Sequence, residues 1–217
     1  MVHSEFYDYP ISYTKALNRQ NELVQRVKHC QTKLAFLGFE CLPTITFGRD
    51  FLNQGQDLKY PKDDLLKKYE ILSSDRGGRV TAHEPGQLVL FLMFSFPTRA
   101  FGPKHLVEIL ETAILEHLAE SGIKGQTVKD LPGVFVGDQK ICSIGLRIKD
   151  RITRHGLALN VYNSLTIFEA IHPCGSEVAM TSMMHQSTGG GLSIYEIFDN
   201  LCQIIKRDLE RDYGLTF

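Results

Sequence analysis

Neither sign of charge prevails in this sequence: 24 Lys and Arg face 25 Asp and Glu, a net charge of −1. That balance gives no basic field for nucleic acid and no acidic tail that would act as a solvating segment. Long hydrophobic runs are missing too. No window reaches the ~18 unbroken apolar residues of a membrane helix, so a membrane is not an expected partner. The opening residues Met1-Val2-His3-Ser4-Glu5-Phe6 lack the basic-then-apolar plan of a signal peptide. Cysteine is scarce, odd in number at 5, and forms no CxxC. A disulfide framework or a paired-knuckle zinc site is therefore not expected, and reduced thiols in the cytoplasm are. Nucleotide motifs are absent as well. There is no GxxxxGK followed by Ser or Thr, and no GxGxxG that follows a strand and opens a helix.

What is present is an ordinary globular composition, 43% hydrophobic and 23% charged, in a chain long enough for a substantial core. Residues 1–217 carry no repeat or linker and read as one domain. The periodicity predicts a helix from Ser12 to about Leu37, ended by Gly38, with Leu17, Val24, Val27, Leu34 and Leu37 as a partial stripe. Thr44 to Gly48 reads as a strand, 49–68 as a polar surface loop with a helical turn, and Tyr69 to Ser73 as another strand. Pro103 to Ser121 is an amphipathic helix stopped by Gly122. Gly133 to Gly137 and Lys140 to Ile148, parted by Asp138-Gln139, form a hairpin, and Thr153 to Val161 a further strand. Ser193 with Glu196 is a capping box that opens the last helix. Strands interleaved with a few helices predict an α+β fold with a mixed sheet.

The stretch around which the chain is organised is Arg76-Gly77-Gly78-Arg79-Val80-Thr81-Ala82-His83-Glu84-Pro85-Gly86-Gln87, which leads into the unbroken apolar run Leu88 to Phe94. A polar glycine loop feeding a buried strand is a rigid mount for a site. The sharpest reactive candidate is Cys174, in Pro173-Cys174-Gly175. A free thiol at its ordinary pKa of ~8.5 is only a few per cent thiolate at neutral pH, so a nucleophile needs a cationic partner. Lys140, which starts an otherwise apolar strand, is one; His83 and His155 are rivals. A zinc site from His83, His155, His172 and Cys174 lacks the paired spacing of structural zinc.

Taken together, the segments 76–78, 81–87, 133–136, 140–145, 155–161 and 173–175, in that order, resemble the lipoyl(octanoyl) transferase family, whose members move an octanoyl group from acyl carrier protein to a lysine of lipoyl domains. The resemblance covers roughly residues 40 to 180. It implies the mixed-sheet catalytic fold shared by biotin and lipoate protein ligases, with Cys174 as the nucleophile and Lys140 as its activating base. Arg76, Gly77, Gly78, Arg79, Val80, Thr81, Ala82 and His83 would line the acyl site with Ser143, Ile144, Gly145, Gly156, Leu157 and Ala158. The implied partners are octanoyl–acyl carrier protein and the lipoyl domains of 2-oxoacid dehydrogenases and the glycine cleavage H protein. The implied enzyme is a cytoplasmic monomer that needs neither ATP nor metal, since thioester exchange is nearly isoenergetic.

The chain departs from the family's usual pattern at Cys41 and Leu42, Ala82, Glu84, Cys142 and Arg154. Glu84 would oppose Lys140 if it faced the thiol, so it is expected to point away, to solvent or to Arg79. Plain strand alternation puts Cys142 on the face of Lys140, as a second thiol in the site. The competing readings are an amidotransferase that moves acyl groups between protein lysines, a non-catalytic paralogue that holds acyl chains or lipoyl domains, and an ATP-dependent lipoate ligase.

Overall fold

The computed structural model describes residues 1–51, 57–96, 102–173, 178–187 and 193–217. Its centre is a seven-stranded sheet in the order β1-β2-β6-β10-β9-β8-β7. The strands are β1 (Val2–Phe6), β2 (Leu34–Phe39), β6 (Gln87–Phe94), β7 (Gln126–Val128), β8 (Leu131–Val136), β9 (Gln139–Lys149) and β10 (Ile152–Asn160). β1 runs parallel to β2, and every other pair is antiparallel. Three strands, β3 (Thr44–Phe47), β4 (Glu70–Ser73) and β5 (Val80–His83), make a second sheet in the order β4-β3-β5. The helices are α1 (Tyr13–Lys28), α2 (Lys62–Leu65), α3 (Pro103–Glu120), α4 (Met183–Gln186) and α5 (Ile194–Tyr213), with a 3-10 turn at Thr166–Ala170.

β6 is buried along its whole length because both faces of the sheet are covered. Leu88, Leu90, Leu92 and Phe94 pack with Leu106, Ile109, Leu110 and Ile114 of α3 and Ile197, Leu201 and Ile205 of α5. Val89, Phe91 and Met93 pack on the other side with Leu23, Val24 and Val27 of α1. Each such side chain, fully buried, contributes about 1.5–3 kcal/mol. The amphipathic helix predicted at 103–121 buries Leu106, Ile109, Leu110, Ala113, Ile114 and Leu118, and Ser193 and Glu196 do form the reciprocal capping box that opens α5. A third core lies between the small sheet and the 3-10 turn, with Ile45, Val80, Ala82, Ile167 and Phe168.

The helix predicted from Ser12 to Leu37 is in fact two elements. Ser12 Oγ caps it by accepting from Lys15 N, but it ends at Lys28, and Cys30 turns the chain at φ +58°. Leu34 and Leu37 then belong to β2, whose six residues are all buried between β1 and β6. An apolar run that lies inside a sheet carries no period of its own, so residues three apart mimicked a helical stripe. Of the predicted surface loop 49–68, the structure describes 49–51 and 57–68, which includes α2. No helix among the described residues is long and apolar enough to cross a membrane.

Candidate active site

β5 and the turn before it lie against β9 and β10, and a partly open cavity of about 60 Å3 lies between them. Its walls hold Lys140 together with Arg76, Gly77, Gly78, Arg79, Val80, Thr81 and His83 from one side and Ser143, Ile144, Gly145, Gly156, Leu157 and Ala158 from the other. Ala82 is not among them. It is fully buried in the core of the small sheet, on the strand face opposite to Thr81 and His83. The wall also includes Tyr13 of α1, Val89 and Phe91 of β6, and His155. Tyr13 gave no signal in the sequence, where the stripe predicted for its helix began at Leu17.

Arg76 builds the loop from within. Its Nη2 donates to Thr46 O at 2.7 Å and Arg79 O at 3.0 Å, Nη1 to Gly77 O at 3.0 Å, and Nε to Thr46 Oγ1 at 3.2 Å. Gly78 takes φ +82°, and its N–H donates to Asp50 Oδ2. Gly77 N donates across to Leu146 O at 3.0 Å, which joins the loop to β9. Arg79 Nε donates to the fully buried Asp57 at 3.0 Å.

Lys140 is 2% exposed, and its Nζ lies 5.3 Å from the centre of the Phe135 ring, within cation–π range. Gly133 makes room for its stem. A Cβ on Gly133 would stand 2.7 Å from Lys140 Cε and 2.2 Å from Cys142 O, at φ +126°. The main chain of Lys140 is bracketed by the 179–181 segment: Lys140 N donates to Ala179 O at 2.8 Å, and Thr181 N to Lys140 O at 3.0 Å.

Two buried histidines share the cavity wall. His83 Nδ1 meets Gln87 Oε1 at 2.8 Å, and burial pushes its pKa down to about 4. His155, at φ +59°, receives Gln20 Oε1 on its main-chain N–H and places Nε2 2.7 Å from Asp75 Oδ1. Burial lowers the His155 pKa against the pull of Asp75. The hydrogen bond from His155, with Arg147 and Arg154 nearby, lowers that of Asp75. The ring is 1% exposed and the carboxylate 46%, so the pair is a neutral imidazole that donates Nε2–H to an ionised Asp75. His83 is likewise neutral above its lowered pKa.

Cys142 is not the second thiol that alternation predicted. It is fully buried in the core under α3 and α5 and does not line the cavity. The register of β8 against β9 jumps from Val134–Cys142 to Phe135–Lys140, so Ile141 is an extra residue that breaks the two-residue alternation. Burial pushes the Cys142 thiol up to about 12 despite Lys140 nearby, and the Cys41 thiol also to about 12. Cys202 is raised by burial too. Cys174, the sharpest candidate, lies outside the described residues. Glu84 faces neither solvent nor Arg79. It is 7% exposed and accepts from Asn163 Nδ2, Ser164 Oγ and Leu165 N at 3.1, 3.0 and 2.7 Å. Among the described residues, no three His, Cys, Asp or Glu side chains are placed to hold a metal ion.

Comparison with known proteins accords with this architecture. A family model described as the lipoyl protein ligase A/B catalytic domain matches residues 12–206. An octanoyltransferase of Chromobacterium violaceum is 41% identical over 157 residues, which is 71% of this chain and 75% of that relative. An octanoyltransferase of Klebsiella pneumoniae is 46% identical over 114 residues, 52% of this chain and about half (53%) of that relative. Among solved structures, a bi-partite lipoate protein ligase from Thermoplasma acidophilum shares the fold, with a TM-score of 0.69 at 12% identity over 100% of this chain and 86% of that one. With the family model spanning most of its length, the chain belongs to the lipoyl protein ligase A/B catalytic domain family.

Proposed function

We propose that this chain is an acyltransferase that moves an octanoyl group from octanoyl–acyl carrier protein to a lysine of a lipoyl domain, through a thioester on Cys174. The observation that carries the reading is the cavity, where Lys140 meets the glycine turn and the inner residues of β9 and β10. Tyr13, Val89, Phe91 and Leu157 give it apolar walls suited to an alkyl chain. The other cysteines support Cys174 by elimination. Cys41, Cys142 and Cys202 are buried with raised pKa values, and Cys30 is exposed and does not line the cavity.

Lowering a thiol from ~8.5 to ~7 takes about 2 kcal/mol. One ammonium at ~4 Å, in an effective dielectric of ~20, supplies on the order of 4 kcal/mol, so Lys140 alone is enough. The Cys174 thiolate attacks the carbonyl of the donor thioester, its new C–S bond forms, and the carrier sulfur leaves and takes a proton from Lys140. The acceptor lysine amine then attacks the acyl-enzyme. As the C–N bond forms, the amine gives a proton to Lys140, and Cys174 leaves as thiolate, ready for another cycle. One thioester is exchanged for another and then for an amide, so neither ATP nor metal enters. The acceptors fitting this reading are the lipoyl domains of 2-oxoacid dehydrogenases and the glycine cleavage H protein, and the working state is a cytoplasmic monomer.

The test is intact-protein mass spectrometry after mixing with octanoyl–acyl carrier protein, without ATP. One hydroxylamine-labile octanoyl adduct is expected on the wild type and on Cys142→Ala, and none on Cys174→Ala. An adduct that survives Cys174→Ala, or no adduct on the wild type, overturns the reading. The latter result, joined to transfer from an octanoylated protein, identifies an amidotransferase.

A further inference from the structure

Both flanks of the Cys174 stretch are tied to residues of the 76–87 segment. Upstream, His172 N donates to Asp57 O at 2.9 Å, Leu58 bridges Ile171, and the Asp57 carboxylate holds Arg79. Downstream, a side-chain relay crosses three strands. Asn160 Nδ2 donates to Thr181 O at 2.9 Å, Gln87 Nε2 to Asn160 Oδ1 at 2.9 Å, and Gln87 Oε1 meets His83 Nδ1 at 2.8 Å. All four residues are at least nine-tenths buried, with His83 the most accessible at 4%.

The direction of this relay is set at its ends. Thr181 O and Ala82 O are main-chain carbonyls, which only accept. Asn160 must therefore turn its nitrogen to Thr181 and its oxygen to Gln87. Gln87 must turn its nitrogen to Asn160 and to Ala82 O, 3.4 Å away, so its own oxygen faces His83 and fixes that proton on Nδ1. A relay with one allowed orientation holds its two ends in a single register. One end is a wall of the cavity. The other is the 179–181 segment, which brackets the main chain of Lys140 and directly follows the residues around Cys174.

We propose that Asn160 and Gln87 are positioning residues of the transfer reaction, whose relay sets the 179–181 segment, and with it Lys140, in the register that the nucleophile requires. Neither residue reaches the substrate on this account. They act through Lys140, so their loss weakens activation of the thiol rather than removing a reacting group. The inference rests on the Cys174 reading, yet it is testable without an acyl donor.

The measurement is the rate at which iodoacetamide alkylates Cys174 as a function of pH, with the modified peptide located by mass spectrometry. The proteins compared are wild type, Asn160→Ala, Lys140→Ala and the double variant. A slip of ~2 Å between one charge and the thiol, at an effective dielectric of ~20, raises the midpoint by about one pH unit. For a midpoint that moves from ~7 to ~8, that is about fivefold less thiolate at pH ~7. The midpoint in Asn160→Ala should rise by this amount, and the double variant should rise no further than Lys140→Ala. An unchanged midpoint, or shifts that simply add, overturns the positioning role. Gln87→Leu breaks the same relay from its other end, carries the same expectation, and decides the matter if Asn160→Ala does not fold. Normal octanoyl loading with an unmoved midpoint defeats this inference alone. Failure of the wild type to load Cys174 defeats the reading beneath it.

Discussion

Arg76 offers a demanding test of how the glycine turn is built, because resemblance alone makes it a substrate contact while the structure directs its guanidinium into the loop. Three main-chain carbonyls, of Thr46, Gly77 and Arg79, converge on one planar fork. Replacing it by lysine keeps the charge and most of the stem but supplies one ammonium that cannot span three carbonyls. If two charge-assisted hydrogen bonds are lost, at about 1.5 kcal/mol each on the low side, Arg76→Lys costs about 3 kcal/mol. For a domain of this size each kcal/mol lowers Tm by about 2–4 °C, so the drop is about 6–12 °C. Urea and thermal unfolding of wild type and variant measure it directly, with octanoyl transfer followed in parallel below the lower transition. The account predicts lost stability together with weaker transfer, since Gly77, Gly78 and Arg79 line the cavity the loop shapes. Unchanged stability with a large loss of substrate binding would show that Arg76 serves the ligand instead.

Other predictions follow from the same geometry. Gly133→Ala should destabilise by about 2–3 kcal/mol, given its left-handed backbone and close contacts, and should slow Cys174 alkylation by displacing Lys140; retained alkylation would separate Gly133 from the site. Glu84→Gln should cost about 1–3 kcal/mol by unpairing the 163–165 turn and leave the alkylation midpoint of Cys174 where it is; a marked increase in thiol reactivity would place the carboxylate in the site. His83 binds its proton less readily when folded, at about 4 against the ordinary 6.5. The stability tied to its neutral form is therefore complete above 6.5 and lost as pH falls from 6.5 towards 4, on the order of 3 kcal/mol. Denaturation at pH 7.5 and 4.5 should show that loss, reduced in His83→Gln; an equal loss in the variant would assign it elsewhere.

What the sequence made legible is what repeats locally. α3 and α5 carried their stripes and caps in the primary pattern, and the β9–β10 segments showed their apolar runs. β1 was not read, because Val2–Phe6 is an edge strand with no alternation in its burial. β5 stayed hidden inside the glycine stretch, since a strand of four residues between turns has too few positions to show a period. Cys142 was misplaced because the bulge at Ile141 depends on the partner strand. The relay is the least legible feature: Gln87 and Asn160 stand 73 residues apart and meet only once β6 and β10 pair. Asp57 lay in a stretch whose polar composition said only surface, yet its side chain is fully buried against Arg79.

The central claim is that an octanoyl thioester on Cys174 is an intermediate on the path rather than a side product. The direct measurement is to isolate the octanoylated protein, free of donor, and mix it with a lipoyl domain under single-turnover conditions. The account predicts that the octanoyl group moves to the domain's lysine at a rate no slower than steady-state turnover, and that Lys140→Ala slows this discharge. An adduct that stays on Cys174, or leaves far more slowly than the enzyme turns over, would contradict it.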